Sequence, residues 1–181
     1  MQTGHELFVL ELNEILDGEH QLLKVLEENA NDSAGEDLQD AFRKHFQETE
    51  GHVDRLRQCF ELLDEQSHET ECRGIRGLAE EKISFSKEEP TKDLIDVFNV
   101  EAGIKAESYE ICSYESLIQM AREMKHAKVA QLLNRNLREE KTAHKKMKDL
   151  SKKIRPAHMM TEQQAQKAGV RKAPSSRRHA A

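Results

Sequence analysis

Residues 42–63 read FRKHFQETEGHVDRLRQCFELL, and the recurrence of apolar residues within this stretch decides the fold. Phe42, Leu56, Phe60 and Leu63, with Leu38 before them, return at the intervals of one helix face. Between Phe42 and Leu56 the same face carries His45, Glu48 and His52 where apolar side chains are expected. A carboxylate on a face that must be buried is costly unless something pairs with it. The interruption therefore asks for partners elsewhere in the chain.

Three further segments have the same period. The first spans about 5–30, opened by a capping box of Thr3 and Glu6; the interrupted helix spans about 35–63, after a second such box, Ser33 with Glu36. A third begins after Pro90, with Thr91 as cap, and runs to about 121; a fourth covers about 126–153. Each is about 40–45 Å long at the rise of an α-helix, and matched long helices make a bundle. The turns after the first and third helices are short, giving two antiparallel hairpins. Residues 64–89 join them, with a short helix expected through GIRGLAEEKISF. Two hairpins joined by one long crossover are the wiring of a ferritin-like bundle. The predicted fold class is thus all-α, a ferritin-like antiparallel four-helix bundle. Eight Gly and three Pro in 181 residues leave too few turn formers for an all-β alternative.

Every long helix has an acidic residue near its midpoint on the inward seam: Glu19, Glu48, Glu107 and Glu140. Four converging carboxylates repel one another unless positive charge lies among them, and oxygen with imidazole donors suits iron or manganese. A carboxylate-bridged dimetal site takes one Glu from each of two helices and a Glu–His pair from each of the others. Glu19 and Glu107 fill the first role, and Glu48 with His52 and Glu140 with His144 fill the second. The halves repeat: Glu48 follows Glu19 by 29 residues, Glu140 follows Glu107 by 33, and each is followed by a His four on. The usual spacing is three, but four also reaches the same face. Glu110, Glu50 and, less so, Glu139 are reserve ligands. His20 and His45 read as rim residues. Tyr109 and Tyr114 could hydrogen-bond a ligating carboxylate or host oxidising equivalents.

The remaining composition bounds the setting. Three cysteines, Cys59, Cys72 and Cys112, form no CxxC pair and argue against a disulfide framework, so a cytoplasmic location is expected. No stretch has the 18 or so apolar residues of a membrane span, and MQTGHELFVLELNE lacks the basic start of a secretory signal. Residues 1–154 read as the bundle and 155–181 as a basic, disordered tail. From 151 on, eight Lys and Arg face Glu162 alone, a balance of +7 against −13 for the rest of the chain. Such a tail could meet nucleic acid through phosphate contacts, but it has no aromatic residue for stacking, and a neighbouring acidic bundle would attract it equally.

ELFVLELNEILDGEHQLLKVL, FRKHFQETEGHVDRLRQCFELL, AESYEICSYESL and LLNRNLREEKTAH together resemble the bacterial ferritin-like proteins grouped with the YciE and YciF stress proteins, over about residues 5–150. The resemblance implies a four-helix ferritin-like bundle, often dimeric, with a dimetal carboxylate centre and no firmly assigned reaction. It places Glu19, Glu48, Glu107, Glu110 and Glu140 at recurring acidic positions; Ser108 stands where a His is common. The leading expectation is a metal-binding bundle that holds two iron ions, or manganese, and reacts with oxygen or peroxide under stress. The alternative is a non-catalytic stress or interaction bundle without turnover. A homodimer is expected, with Leu7, Phe8 and Phe46 as apolar residues off the main seams.

Overall fold

A computed structural model describes residues 1–169. Four long helices form the bundle: α1 (Gly4–Asp32), α2 (Glu36–Leu63), α4 (Lys92–Glu123) and α5 (Ala127–Ser151). A shorter helix, α3 (Arg73–Ser86), lies in the crossover, and a 3-10 turn (Pro156–Met159) and α6 (Glu162–Lys167) follow α5. Among the described residues there is no strand.

The helix ends show how the hairpins are held. Thr3 and Glu6 form the expected capping box at α1. At α2 the cap is Gly35, without a side-chain bond, and Ser33 serves elsewhere: its hydroxyl accepts from Asn99 Nδ2 at 3.1 Å. The backbone amides of Ala34 and Gly35 donate instead to the Asp96 carboxylate, at 2.8 and 3.0 Å. A residue of α4 thus satisfies the donors that open α2, which ties the start of the second hairpin to the turn of the first. At the other end His5 meets Glu65 at 2.8 Å, so α2 finishes where α1 begins. The crossover must therefore climb the full length of the bundle.

In cross-section α1 neighbours α2 and α4, and α5 neighbours α4 and α2, while α3 covers α1 and α4. All four bundle contacts are antiparallel, as the two-hairpin topology requires. Close approach of the crossover rests on Gly74: a Cβ there would lie 2.5 Å from Tyr109 Cε2. Cys59, Cys72 and Cys112 are free thiols. No helix among the described residues is long and apolar enough to cross a membrane.

The core divides in two. One half gathers Phe8, Leu12, Ile15, Leu56, Leu117 and Leu133; the other gathers Leu26, Phe42, Ile75, Val100, Met147 and Leu150. Phe8 has no exposed surface and belongs to the core, so it is not available to a dimer contact, whereas Leu7 is exposed. The expectation of a disordered 155–181 does not hold over its first part. Thr161 and Gln164 form a capping box that opens α6, and Ala165 is buried. Local hydrogen bonding and this one buried contact order a stretch whose composition alone argues for disorder. The rest of the tail, 170–181, lies outside the described residues.

Candidate metal centre

Between the two apolar halves lies a polar layer. Glu19, His45, Thr49, His52, Glu107, Glu110, Asn136 and Glu140 are all buried, from each of the four long helices. Two groups of metal-ligand donors form within it. His45, Glu107, Glu110 and Glu140 make one, Glu19, His52 and Glu140 the other, with donor atoms within 4.8 Å of one another in each. Glu140 belongs to both.

The contacts are close. His45 Nε2 lies 3.1 Å from Glu107 and 3.5 Å from Glu140. His52 Nδ1 lies 3.3 Å from Glu19 and 2.8 Å from Glu140 Oε1, the latter close enough for ion pairing but not aligned as a hydrogen bond. The outer nitrogen of each ring meets a further carboxylate: His45 Nδ1 is 3.4 Å from Glu48, and His52 Nε2 is 3.0 Å from Glu139. Each outer carboxylate is in turn bonded by a cation, Lys44 on Glu48 and Arg55 on Glu139. Arg55 Nε also donates to Asn136, whose Nδ2 donates to Tyr114 Oη at 2.9 Å, and Tyr114 donates to Glu19. Both imidazoles are therefore fixed in orientation from behind, an arrangement that tunes and aligns metal-binding histidines.

The ionisation of the layer reflects its burial. Desolvation opposes charge on His45, but the carboxylates of Glu107 and Glu140 outweigh it and hold the ring well above the ordinary histidine value. Burial likewise opposes charge on His52, and Glu19 and Glu140 overcome it, pushing the ring to about 10. Burial pushes Glu110 well up, reinforced by the charges of Glu140, Glu19 and Glu107. Burial also raises Glu140, which His45 only partly offsets. Glu107 feels the same burial, but the charge and hydrogen bond of His45 bring it below the ordinary carboxylate value. Glu48, bonded by His45 and Lys44 at the rim, falls to about 2. The raised rings and the raised Glu110 and Glu140 carboxyls all favour holding protons, which offsets part of the layer's negative charge.

Hydrogen bonding within the layer is incomplete. Among the described residues six buried side-chain polar atoms have no hydrogen-bond partner, and five are carboxylate oxygens of Glu107, Glu110 and Glu140; the sixth is Thr49 Oγ1. Buried polar atoms are nearly always satisfied, so lone pairs left facing one another mark a place suited to cations. The donors fit: oxygen and imidazole suit iron or manganese, and four carboxylates balance two divalent ions.

The structure gathers Glu19, His52, Glu107, Glu110 and Glu140 into this layer. It does not bring Glu48 or His144 there. Glu48 sits at the rim behind His45, and half-buried His144 meets Ser108 Oγ at 3.2 Å. His45, read from the sequence as a rim residue, occupies the interior. The signal for it was its seven-residue distance from His52, two full turns on one face. Glu50 is exposed and takes no part. Tyr114 makes the expected bond to a candidate ligand, Glu19, while Tyr109 lies 3.6 Å from the Cys72 thiol in the crossover. Arg55 and Asn136 carry no sequence signal, because their role depends on meeting across α2 and α5.

An all-α crossover bundle with a buried carboxylate–imidazole layer between its hairpins defines a ferritin-like protein with a candidate metal centre. Residues 3–167 match a family described as a domain of unknown function, DUF892, and the chain belongs to that family. It is 31% identical to protein YciF of Escherichia coli K12 over 152 residues, 83% of this chain and 92% of YciF. The crystal structure of the E. coli stress protein YciF superposes with a TM-score of 0.80, covering 83% of this chain and 96% of that one. YcfI of Rhodopseudomonas palustris, also 31% identical, gives 0.78 over 81% and 94%.

Proposed function

We propose that this protein binds two iron or manganese ions between Glu19, His45, His52, Glu107, Glu110 and Glu140, and reduces dioxygen or peroxide in a cytoplasmic stress response. The observation that carries the reading is the set of five buried carboxylate oxygens without partners, aligned with two imidazoles fixed from behind. When bound, a pair of redox-active ions supplies two electrons to an oxidant. The protein's own part is positional. Glu140, in reach of both rings, would face both ions; Glu107 and Glu110 would complete the His45 side and Glu19 the His52 side. Tyr114 holds the Glu19 carboxylate, and Glu48 and Glu139 hold the outer ring nitrogens so that the inner ones face the layer. Leu16, Leu56 and Leu137 belong to the apolar half on one side of the layer and Leu22 to the half on the other. The stress setting is suggested by the relative from E. coli.

The test is metal content per chain of untagged protein, before and after anaerobic Fe(II) loading. Two ions per chain are expected, with a rise in melting temperature, since a ligand of the native state must stabilise it. An unchanged melting temperature and no bound metal would favour the non-catalytic bundle. A homodimer is proposed alongside, using exposed apolar residues such as Leu7 and Leu62; light scattering of the same samples measures it.

A further inference from the structure

Hydroxyls inside helices normally bond back to the preceding turn. Ser86, Ser108, Ser113 and Thr142 do so, each donating to the carbonyl four residues before it at 2.6–3.0 Å. Thr49 departs from this habit. It has no exposed surface, and its Oγ1 makes no hydrogen bond.

The departure occurs at a particular place. Thr49 follows His45 by four residues and precedes His52 by three, so the three side chains line one face of α2. The two rings have centroids 6.1 Å apart. Each belongs to a different donor group, so the helix face that carries Thr49 also carries one imidazole of each candidate ion position. The other unpartnered atoms are carboxylate oxygens, which offer lone pairs. A hydroxyl also carries a proton to donate. The other donors around the layer are engaged: Tyr114 on Glu19, Asn136 on Tyr114 and on the His52 carbonyl, Arg55 on Asn136 and Glu139. The donor groups are also unequal. Four residues serve the His45 position and three serve the His52 position, Glu140 being common to both. With fewer protein donors, the His52 position is the one whose coordination a ligand from outside would complete.

We propose that the Thr49 hydroxyl donates a hydrogen bond to a small anion taken up at the three-donor, His52 side of the metal centre, and sets the affinity for that anion without holding metal itself. The inference rests on the reading of the layer as a metal centre, and its test separates the two. Full-length protein is loaded with iron, oxidised in air, and titrated with azide as the anion, following the ligand-to-iron absorption band. Wild type, Thr49→Val and Thr49→Ser are compared, because Val keeps the shape and Ser keeps the hydroxyl.

The expected result is equal iron content in all three, azide binding weakened about 10- to 100-fold in Thr49→Val, as for loss of one hydrogen bond to a charged group, and near-wild-type binding in Thr49→Ser. The metal-free Val variant should melt no lower than wild type, since it loses only an unpartnered hydroxyl. Unchanged azide affinity in Thr49→Val at full iron content overturns the role of Thr49 and leaves the metal centre standing. Iron lost from Thr49→Val but kept by Thr49→Ser overturns it too, by making Thr49 a ligand. A wild-type protein that holds iron but takes no azide also overturns it. One that holds no iron removes the metal centre itself.

Discussion

The first hairpin brings one carboxylate and two imidazoles to the polar layer; the second brings three carboxylates and no imidazole. Both are spelled alike, with ETEGH on α2 and EKTAH on α5. From the first spelling the structure buries the histidine and leaves Glu48 at the rim; from the second it buries the glutamate and leaves His144 at the rim. The cause is the rotation of each helix about its own axis, which its whole apolar set determines. On α2, Leu38, Phe42, Leu56 and Phe60 turn inward a face that contains positions 45, 49 and 52. On α5, Leu133, Leu137, Met147 and Leu150 turn inward a face that contains 136, 140 and 143. One residue is about 100° of helix, so Glu48 beside Thr49, and His144 beside Ala143, are carried to the edge. Polar residues at a site go where the apolar residues of their helix send them.

The comparison can be broken most sharply at Glu140, the residue common to both donor groups. Glu140→Ala is expected to abolish binding of both metals, read as metal per chain, and to lower the melting temperature of the metal-free variant, since both buried imidazole rings lose a carboxylate partner. Loss of one ion alone would show that the two positions do not share Glu140.

Next come the imidazoles of the first hairpin. His45→Ala and His52→Ala should each lose one ion and keep the other, resolved by calorimetric titration with Mn(II). His144→Ala should keep both. If His144→Ala loses metal while His45→Ala does not, the asymmetry between the hairpins is wrong. Weaker effects are expected behind the rings. Glu48→Gln and Glu139→Gln should retain two ions with affinity lowered about 10- to 100-fold, the usual range for a carboxylate that supports a ligating imidazole.

The response of stability to pH gives the smallest effect and a change of sign. His52, raised from 6.5 to about 10 in the fold, contributes stability that is full below about 6.5 and lost as pH rises towards 10. Glu110 and Glu140 are raised above 4.5, so they too favour the folded state less as pH rises above that value. The metal-free protein should therefore melt several degrees lower at pH 9 than at pH 6. Metal binding must displace these protons and strengthens with pH, so the gain in melting temperature on adding Mn(II) should grow over the same range. A metal-free melting temperature that rises with pH would contradict the ionisation of the layer.

Much of this was legible in the residues. Thr3 with Glu6, Pro90 before Thr91, and the apolar period of four segments locate the long helices, because capping and amphipathic burial are local or periodic properties. Glu19, Glu107 and Glu140 stand out because each replaces an apolar residue in a seam. Asp96 capping α2, the ring of His45 and the chain from Arg55 through Asn136 to Tyr114 were not legible, since each joins residues at least 22 positions apart or depends on a rotation of less than one residue.

By itself, then, the sequence determined that four long amphipathic helices pair as two hairpins about a midpoint rich in acid, since periodicity and connection length are written along one chain. Only the tertiary structure decided which member of each Glu–His pair enters the interior, and that the Thr49 hydroxyl is buried there without a partner. Those choices follow from how four helices rotate to bury their apolar faces together, and no single helix contains that information.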